Sequence, residues 1–86
     1  MASGMMNHTD GIVQQMHAAI VEALPGAEVH VGSNSPGHFE LRVIWLGFAE
    51  LSRLKQQQVV YAAIAPLMKG EGAPVHAIDR LDTVPS

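Results

Sequence analysis

The sequence predicts a single α+β domain in which two helices pack on one face of a three-stranded mixed sheet. The chain has 86 residues, which is enough for one domain and too few for two. Two stretches carry apolar residues at helical spacing, and three others carry strand-like patterns. They follow in the order helix, strand, strand, helix, strand. Because the second helix joins the second and third strands, a right-handed crossover with parallel pairing is favoured.

The first part of the chain predicts a helix followed by a strand. Thr9 or Asp10 can cap a helix that continues to Leu24, and Pro25-Gly26 ends it. Residues 27–31 alternate between apolar and polar side chains, which is typical of a half-buried strand. The apolar residues expected on the buried helix face are Ile12, Val13, Met16, Ile20 and Leu24.

The second strand has the clearest pattern in the sequence. It is expected over residues 38–46, after a polar loop at residues 32–37 that is rich in turn-forming residues. We expect this loop to join two antiparallel strands. The side chains predicted to face the helices are Phe39, Leu41, Val43 and Trp45.

The second helix and the third strand complete the predicted fold. Ser52 can cap a helix that runs to Ala65 or Met68, and Pro66 is expected to kink or end it. The third strand is expected over residues 75–81. The predicted apolar face of the helix consists of Leu54, Tyr61, Ile64 and Met68, with Val60 and Leu67 beside it.

The composition excludes several classes of function. The chain has no cysteine, so it offers no disulfide, thiol nucleophile or cysteine-bound metal. It also lacks phosphate-binding glycine motifs and the His-Glu-x-x-His zinc motif, and we predict that it is not an enzyme. No apolar run approaches the ~20 residues of a membrane span, and the N-terminus does not resemble a secretory signal. We expect a cytoplasmic protein with a disordered tail over residues 1–8 and one domain over residues 9–86.

The charge argues against tight binding of nucleic acid. The formal net charge is −3, and the five lysine and arginine residues are scattered along the chain. Arg53 and Lys55, at the start of the second helix, and Arg42 are the candidates for weak contacts with a nucleic-acid backbone. A solvated helix end is the commoner role for such residues.

Two of the five histidines flank flexible loops. His38 opens the second strand directly after the polar loop, and His76 lies near the start of the third strand after a Gly/Pro loop. If these loops meet at one end of the sheet, the two imidazoles form half of a metal site. Two ligands do not complete such a site, and a solvated side chain is the commoner role for a histidine on a strand. His8, His17 and His30 lie in less suggestive positions.

Three short motifs resemble the BolA family, and they come closest to its bacterial acid-stress branch. The segment at residues 52–61 reads S-R-L-K-Q-Q-Q-V-V-Y, residues 75–78 read V-H-A-I, and residues 37–39 read G-H-F. The resemblance extends over residues 12–83. The chain departs from the family where Phe48-Ala49-Glu50 replaces a common F-x-G turn, and where residues 83–86 replace a T-P-x-E-W ending.

The resemblance implies a fold similar to the type II KH domain and a non-enzymatic role as an adaptor or regulator. Family members pair with monothiol glutaredoxins, and the complex can share a [2Fe–2S] cluster in iron–sulfur trafficking or stress response. The family's near-invariant histidine maps onto His76, and His38 is the best match for a second ligand, with His30 as a poorer one. The alternative is a KH-like nucleic-acid-binding transcription regulator, although the G-x-x-G clamp of KH domains is absent.

Overall fold

The computed structural model describes residues 8–86, and the order of the helices and strands is the predicted one. The predicted tail falls almost wholly on residues 1–7, which lie outside the described residues, so it stays a prediction. The elements are α1 (His8–Ala23), β1 (Glu28–Ser35), β2 (His38–Ile44), a short 3₁₀ helix (Leu46–Glu50), α2 (Arg53–Met68) and β3 (Ala77–Val84). In this part of the chain, neither α-helix is long and apolar enough to cross a membrane.

The three strands form one mixed sheet in the order β1-β2-β3. β1 pairs with β2 in antiparallel register, with Val29 opposite Val43. β2 pairs with β3 in parallel register, with His38 opposite Ala77. The prediction of a mixed sheet with a helical crossover between β2 and β3 is therefore confirmed. It follows that the start of β2 and the start of β3 lie at the same end of the sheet.

The core lies between the helices and one face of the sheet. Alternate residues of β2 are buried there, whereas Glu40 and Arg42 between them are exposed on the open face. The predicted face of the first helix is confirmed at Ile12, Met16, Ile20 and Leu24, which are buried at helical spacing, whereas Val13 is half-buried beside them. The buried apolar residues are Ile12, Met16, Ile20, Leu24, Val29, Phe39, Leu41, Val43, Phe48, Val60, Ile64 and Val75.

The predicted apolar face of α2 is wrong in part. Leu54 and Tyr61 are 62% and 39% exposed, whereas Gln56, Val60 and Ile64 form the buried stripe at spacings of four residues. The apolar residues of α2 are spread around its circumference, so their spacing does not define one face. The polar Gln56 nevertheless occupies a core position, because its hydrogen-bonding groups find partners inside the protein.

Gln56 connects α2 to the 3₁₀ helix and to β3. Its amide nitrogen donates to the carbonyl oxygens of Phe48 at 3.1 Å and Leu51 at 3.0 Å, and its amide oxygen accepts from the Thr83 hydroxyl at 2.6 Å. Among the described residues, no buried side-chain nitrogen or oxygen lacks a partner. The buried amide is therefore satisfied and fixes the turn that leads from β2 into α2.

Several boundaries differ from those predicted. α2 continues through Pro66 to Met68, because a proline in the last turn removes one hydrogen bond without preventing the final residues from adopting helical dihedrals. Its predicted cap is confirmed, since the Ser52 hydroxyl accepts from the backbone N–H of Lys55 at 3.2 Å. β1 extends to Ser35 because the hairpin to β2 is tight, and β3 runs to Val84 because β2 pairs with it along its whole length.

Candidate metal half-site

The turn between β1 and β2 is fastened directly to the residues that precede β3. The carbonyl oxygen of Gly37 accepts hydrogen bonds from the backbone N–H groups of His76 at 2.8 Å and Ala77 at 3.0 Å. His38 follows Gly37 in the chain and lies opposite Ala77 in the parallel register. The structure therefore brings His38 and His76 to the same end of the sheet, as the positions of the two loops predicted.

The imidazole of His76 lies against the α-carbon of Gly37. A β-carbon built at Gly37 would lie 2.7 Å from Nδ1 and 2.8 Å from Cγ of His76, far inside normal contact distance. Gly37 also has a φ of +81°, which favours glycine over residues with a side chain. Glycine at this position thus permits the backbone conformation of the turn and leaves space for the His76 ring, whose side chain remains exposed.

His38 contacts Asp79, which in turn is bonded to Asn34, and sequence reasoning singled out neither of these two polar residues. Its Nδ1 lies 3.2 Å from Oδ1 of Asp79, and Oδ2 of Asp79 accepts from the Asn34 side-chain amide at 3.1 Å. The hydrogen bond from Asn34, followed by that from His38, lowers the pKa of Asp79 below its ordinary value. The carboxylate is therefore ionised near neutral pH. One residue from each strand contributes to this Asn34–Asp79–His38 cluster.

The other histidines lie elsewhere. His30, on β1, lies opposite Arg42 of β2 in the sheet register. Arg42 is four residues after His38, so His30 is displaced from His38 along the strands by about 13 Å at ~3.3 Å per residue. His30 forms a separate contact of 2.6 Å with Glu28 on its own strand. His17 is exposed on α1. The geometry thus favours His38 over His30 as the companion of His76, whereas the His8 side chain lies outside the described residues.

This pair of imidazoles fits part of a metal site. Among the described residues, no group of three or more histidine, cysteine, aspartate or glutamate side chains could hold a metal ion by itself. A [2Fe–2S] cluster takes four outer ligands, two on each iron, so two neutral imidazoles can supply those of one iron and thiolates from another molecule those of the other. The residues present are consistent with a half-site that a partner completes.

The three candidate cations do not form one surface. Arg53 and Lys55 lie exposed in the first turn of α2, whereas Arg42 lies on the open face of the sheet opposite Asp82. α2 returns the chain from the end of β2 to the start of β3, and its 16 residues span about 24 Å. Arg53 and Lys55 are therefore at the opposite end of the domain from His76.

Comparison with known proteins identifies the family. The family model described as BolA-like protein matches residues 12–84. The chain belongs to the BolA-like family. No match to a curated protein sequence was found.

Solved structures of BolA proteins share the fold of this chain. BolA1 from Arabidopsis thaliana is 16% identical with a TM-score of 0.69, over 85% of this chain and 90% of that one. A BolA homologue from Coxiella burnetii is 23% identical with a TM-score of 0.63, over 94% of both chains. The BolA domain of SufE1 from Arabidopsis thaliana is 18% identical with a TM-score of 0.61, over 92% of this chain and 95% of that one. At these identities the likeness establishes the fold.

Proposed function

We propose that this BolA-like protein is a non-enzymatic adaptor that pairs with a monothiol glutaredoxin and shares a [2Fe–2S] cluster with it. His76 and His38 would be the ligands from this chain. The observation that carries the proposal is the pair of backbone hydrogen bonds from His76 and Ala77 to Gly37, because they hold the backbone of His76 beside that of His38 at one end of the sheet. Family membership supports the same role.

The chemistry of the half-site explains why a partner is required. A [2Fe–2S] cluster takes four protein or cofactor ligands, and this chain has no thiolate to offer. A glutaredoxin cysteine and glutathione would supply the sulfur ligands on the other iron. Imidazole ligands raise the reduction potential of such a cluster. They also make it sensitive to acid, since protonation removes the lone pair that binds the metal.

The biological setting is the cytoplasm, in iron–sulfur trafficking or a stress response. The resemblance of the segment from Ser52 to Tyr61 supports a place in the bacterial acid-stress branch; in the structure its serine caps α2, and its first glutamine, Gln56, is buried and fixes the preceding turn. A cluster that is released when its imidazoles are protonated suits a protein that responds to acid.

The proposal is tested by co-expressing the chain with a monothiol glutaredoxin and purifying the complex anaerobically. We expect a coloured one-to-one complex with the visible spectrum of a [2Fe–2S] cluster, and no colour in the chain purified alone. His76→Ala should abolish or strongly alter the spectrum, and His38→Ala should alter it too. His17→Ala is the matched control, because this exposed histidine lies on α1. A colourless wild-type complex would contradict the shared cluster.

Nucleic-acid binding remains the weaker candidate. Arg53 and Lys55 are exposed at the start of α2, which would allow contacts with phosphates. These two cations are separated from Arg42, and the chain has a net charge of −3. Any such binding should therefore be weak.

A further inference from the structure

We propose that Asp79 is a positioning residue for His38, which it holds in the Nδ1–H tautomer so that Nε2 is the atom presented to the metal. This inference rests on the proposed function, because it assigns the binding atom within the same half-site. It adds two residues to the site, Asp79 and its supporting partner Asn34.

The hydrogen bonds determine which nitrogen of His38 carries the proton. An ionised carboxylate can only accept, so Nδ1 of His38 must donate across the 3.2 Å contact with Asp79. In a neutral imidazole the other nitrogen, Nε2, then carries the lone pair. Histidines that bind metals commonly donate their second ring N–H to a carboxylate in this way, which fixes the ring and increases its basicity.

A β-bulge places Asp79 where it can reach His38. Phe39 lies opposite Ile78, but the next residue of β2, Glu40, lies opposite Arg80, so Asp79 is an extra residue in β3. In an unbroken ladder Asp79 would oppose Glu40, and two like charges would face each other across the strands. The bulge leaves Asp79 unpaired in the register and re-aims its side chain toward the start of β2.

Asn34 prevents the carboxylate from turning away. It donates to Oδ2 of Asp79 at 3.1 Å while His38 occupies Oδ1, so both oxygens have partners on different strands. The side chains of His38 and Asp79 are 44% and 40% exposed, which leaves room for a partner to approach. The Asn34–Asp79–His38 cluster is thus held in place by its own hydrogen bonds and is still accessible to solvent.

The same chain contains a natural comparison. His30 also contacts a carboxylate, Glu28, but through Nε2, and that pair lies two residues apart on one strand. Nothing places the His30 pair beside His76. Removing either carboxylate should therefore change the tautomer of the histidine beside it, but only Asp79 should influence the cluster.

The first measurement uses the free chain and needs no cluster. With ¹⁵N-labelled histidine, a long-range ¹H–¹⁵N spectrum at a pH where the imidazoles are neutral reports the protonated nitrogen of each ring. We expect His38 to be in the Nδ1–H form in the wild type and to become a mixture of tautomers in Asp79→Ala. Asp82→Ala is the matched control, since this carboxylate lies on β3 beside Arg80. An Nε2–H form in the wild type, or no change in Asp79→Ala, would overturn the proposal.

The second measurement uses the complex with a monothiol glutaredoxin. Asp79→Ala should lose the cluster to a chelator about 10-fold faster or more, the usual effect of removing such a supporting carboxylate. Asp79→Asn, which keeps an oxygen acceptor, should recover part of the loss, and Glu28→Ala should behave as wild type. A changed tautomer with unchanged cluster loss would refute the role of Asp79 at the metal. A wild-type complex without any cluster would instead refute the proposed function, and the tautomer measurement would then decide separately whether Asp79 orients His38.

Discussion

Replacing Gly37 with alanine should disturb both the fold and the half-site, for two separable reasons. The first is conformational, because Gly37 has a φ of +81° and a residue with a side chain in this region costs ~1–2 kcal/mol. The second is steric. The new β-carbon would lie 2.7 Å from Nδ1 of His76, whereas favourable contacts between heavy atoms begin near ~3.5 Å. The imidazole must therefore move by about 1 Å.

A second glycine isolates the steric contribution. Gly26 has a φ of +89°, but nothing lies within 4 Å of a β-carbon built there. Gly26→Ala should lower the free energy of unfolding by the conformational cost alone, about 1–2 kcal/mol. Gly37→Ala should lower it further, by the cost of displacing the exposed His76 ring from its place against Gly37. Urea denaturation of both variants gives the difference directly.

The assay for function compares the same two variants in the complex with a monothiol glutaredoxin. Gly37→Ala should weaken or change the visible spectrum, because the His76 ring is displaced, whereas Gly26→Ala should leave it unchanged. Equal destabilisation by the two substitutions, together with a normal spectrum in Gly37→Ala, would refute the view that Gly37 supports His76.

Four further predictions concern the hydrophobic core, the buried amide of Gln56, the pKa of Asp79 and the binding of nucleic acid. Ile64→Ala should cost ~2–5 kcal/mol in urea denaturation, because the side chain is fully buried, and a loss below about 0.5 kcal/mol would show that the core is assigned wrongly. Gln56→Leu should cost ~1–3 kcal/mol by leaving two backbone carbonyls and a threonine hydroxyl without partners, and an unchanged unfolding midpoint would contradict this. Asn34→Ala should raise the pKa of Asp79 toward 3.8, which is measured by titrating the ¹³C chemical shift of its carboxyl group. Since the folded pKa is depressed, the stabilising contribution of Asp79 is present above the unfolded pKa and is lost as the pH falls through the folded pKa; an unchanged pKa in Asn34→Ala would count against this pairing. DNA or RNA binding should be weak, salt-sensitive and reduced by Arg53→Ala, and nanomolar sequence-specific binding at physiological salt would reverse the ranking of the two functions.

Much of the fold could be predicted from local patterns. The alternation in β2 specifies which side chains face the helices, and the spacing of apolar residues in α1 specifies its buried face. The element order then required a crossover, which placed the starts of β2 and β3 together. For this reason the sequence predicts that His38 and His76 lie at the same end of the sheet.

The features that were missed depend on contacts between distant residues. The burial of Gln56 follows from a hydrogen bond with Thr83, 27 residues further along the chain, and nothing near Gln56 indicates it. The apolar pattern does not reveal the buried face of α2 for the same reason, because a polar residue occupies its buried stripe while Leu54 is exposed. The contribution of Asp79 depends on a bulge, which shifts the register by one residue and leaves no mark in the alternation of so short a strand.

The central claim, that His76 and His38 ligate a cluster shared with a partner, is tested most directly by pulsed electron paramagnetic resonance. The chain is labelled with ¹⁵N-histidine and combined with an unlabelled monothiol glutaredoxin, and the [2Fe–2S] cluster is reduced by one electron. We predict hyperfine coupling to two ¹⁵N nuclei, one of which disappears in His76→Ala and the other in His38→Ala. A reduced cluster without ¹⁵N coupling would show that these histidines are not ligands.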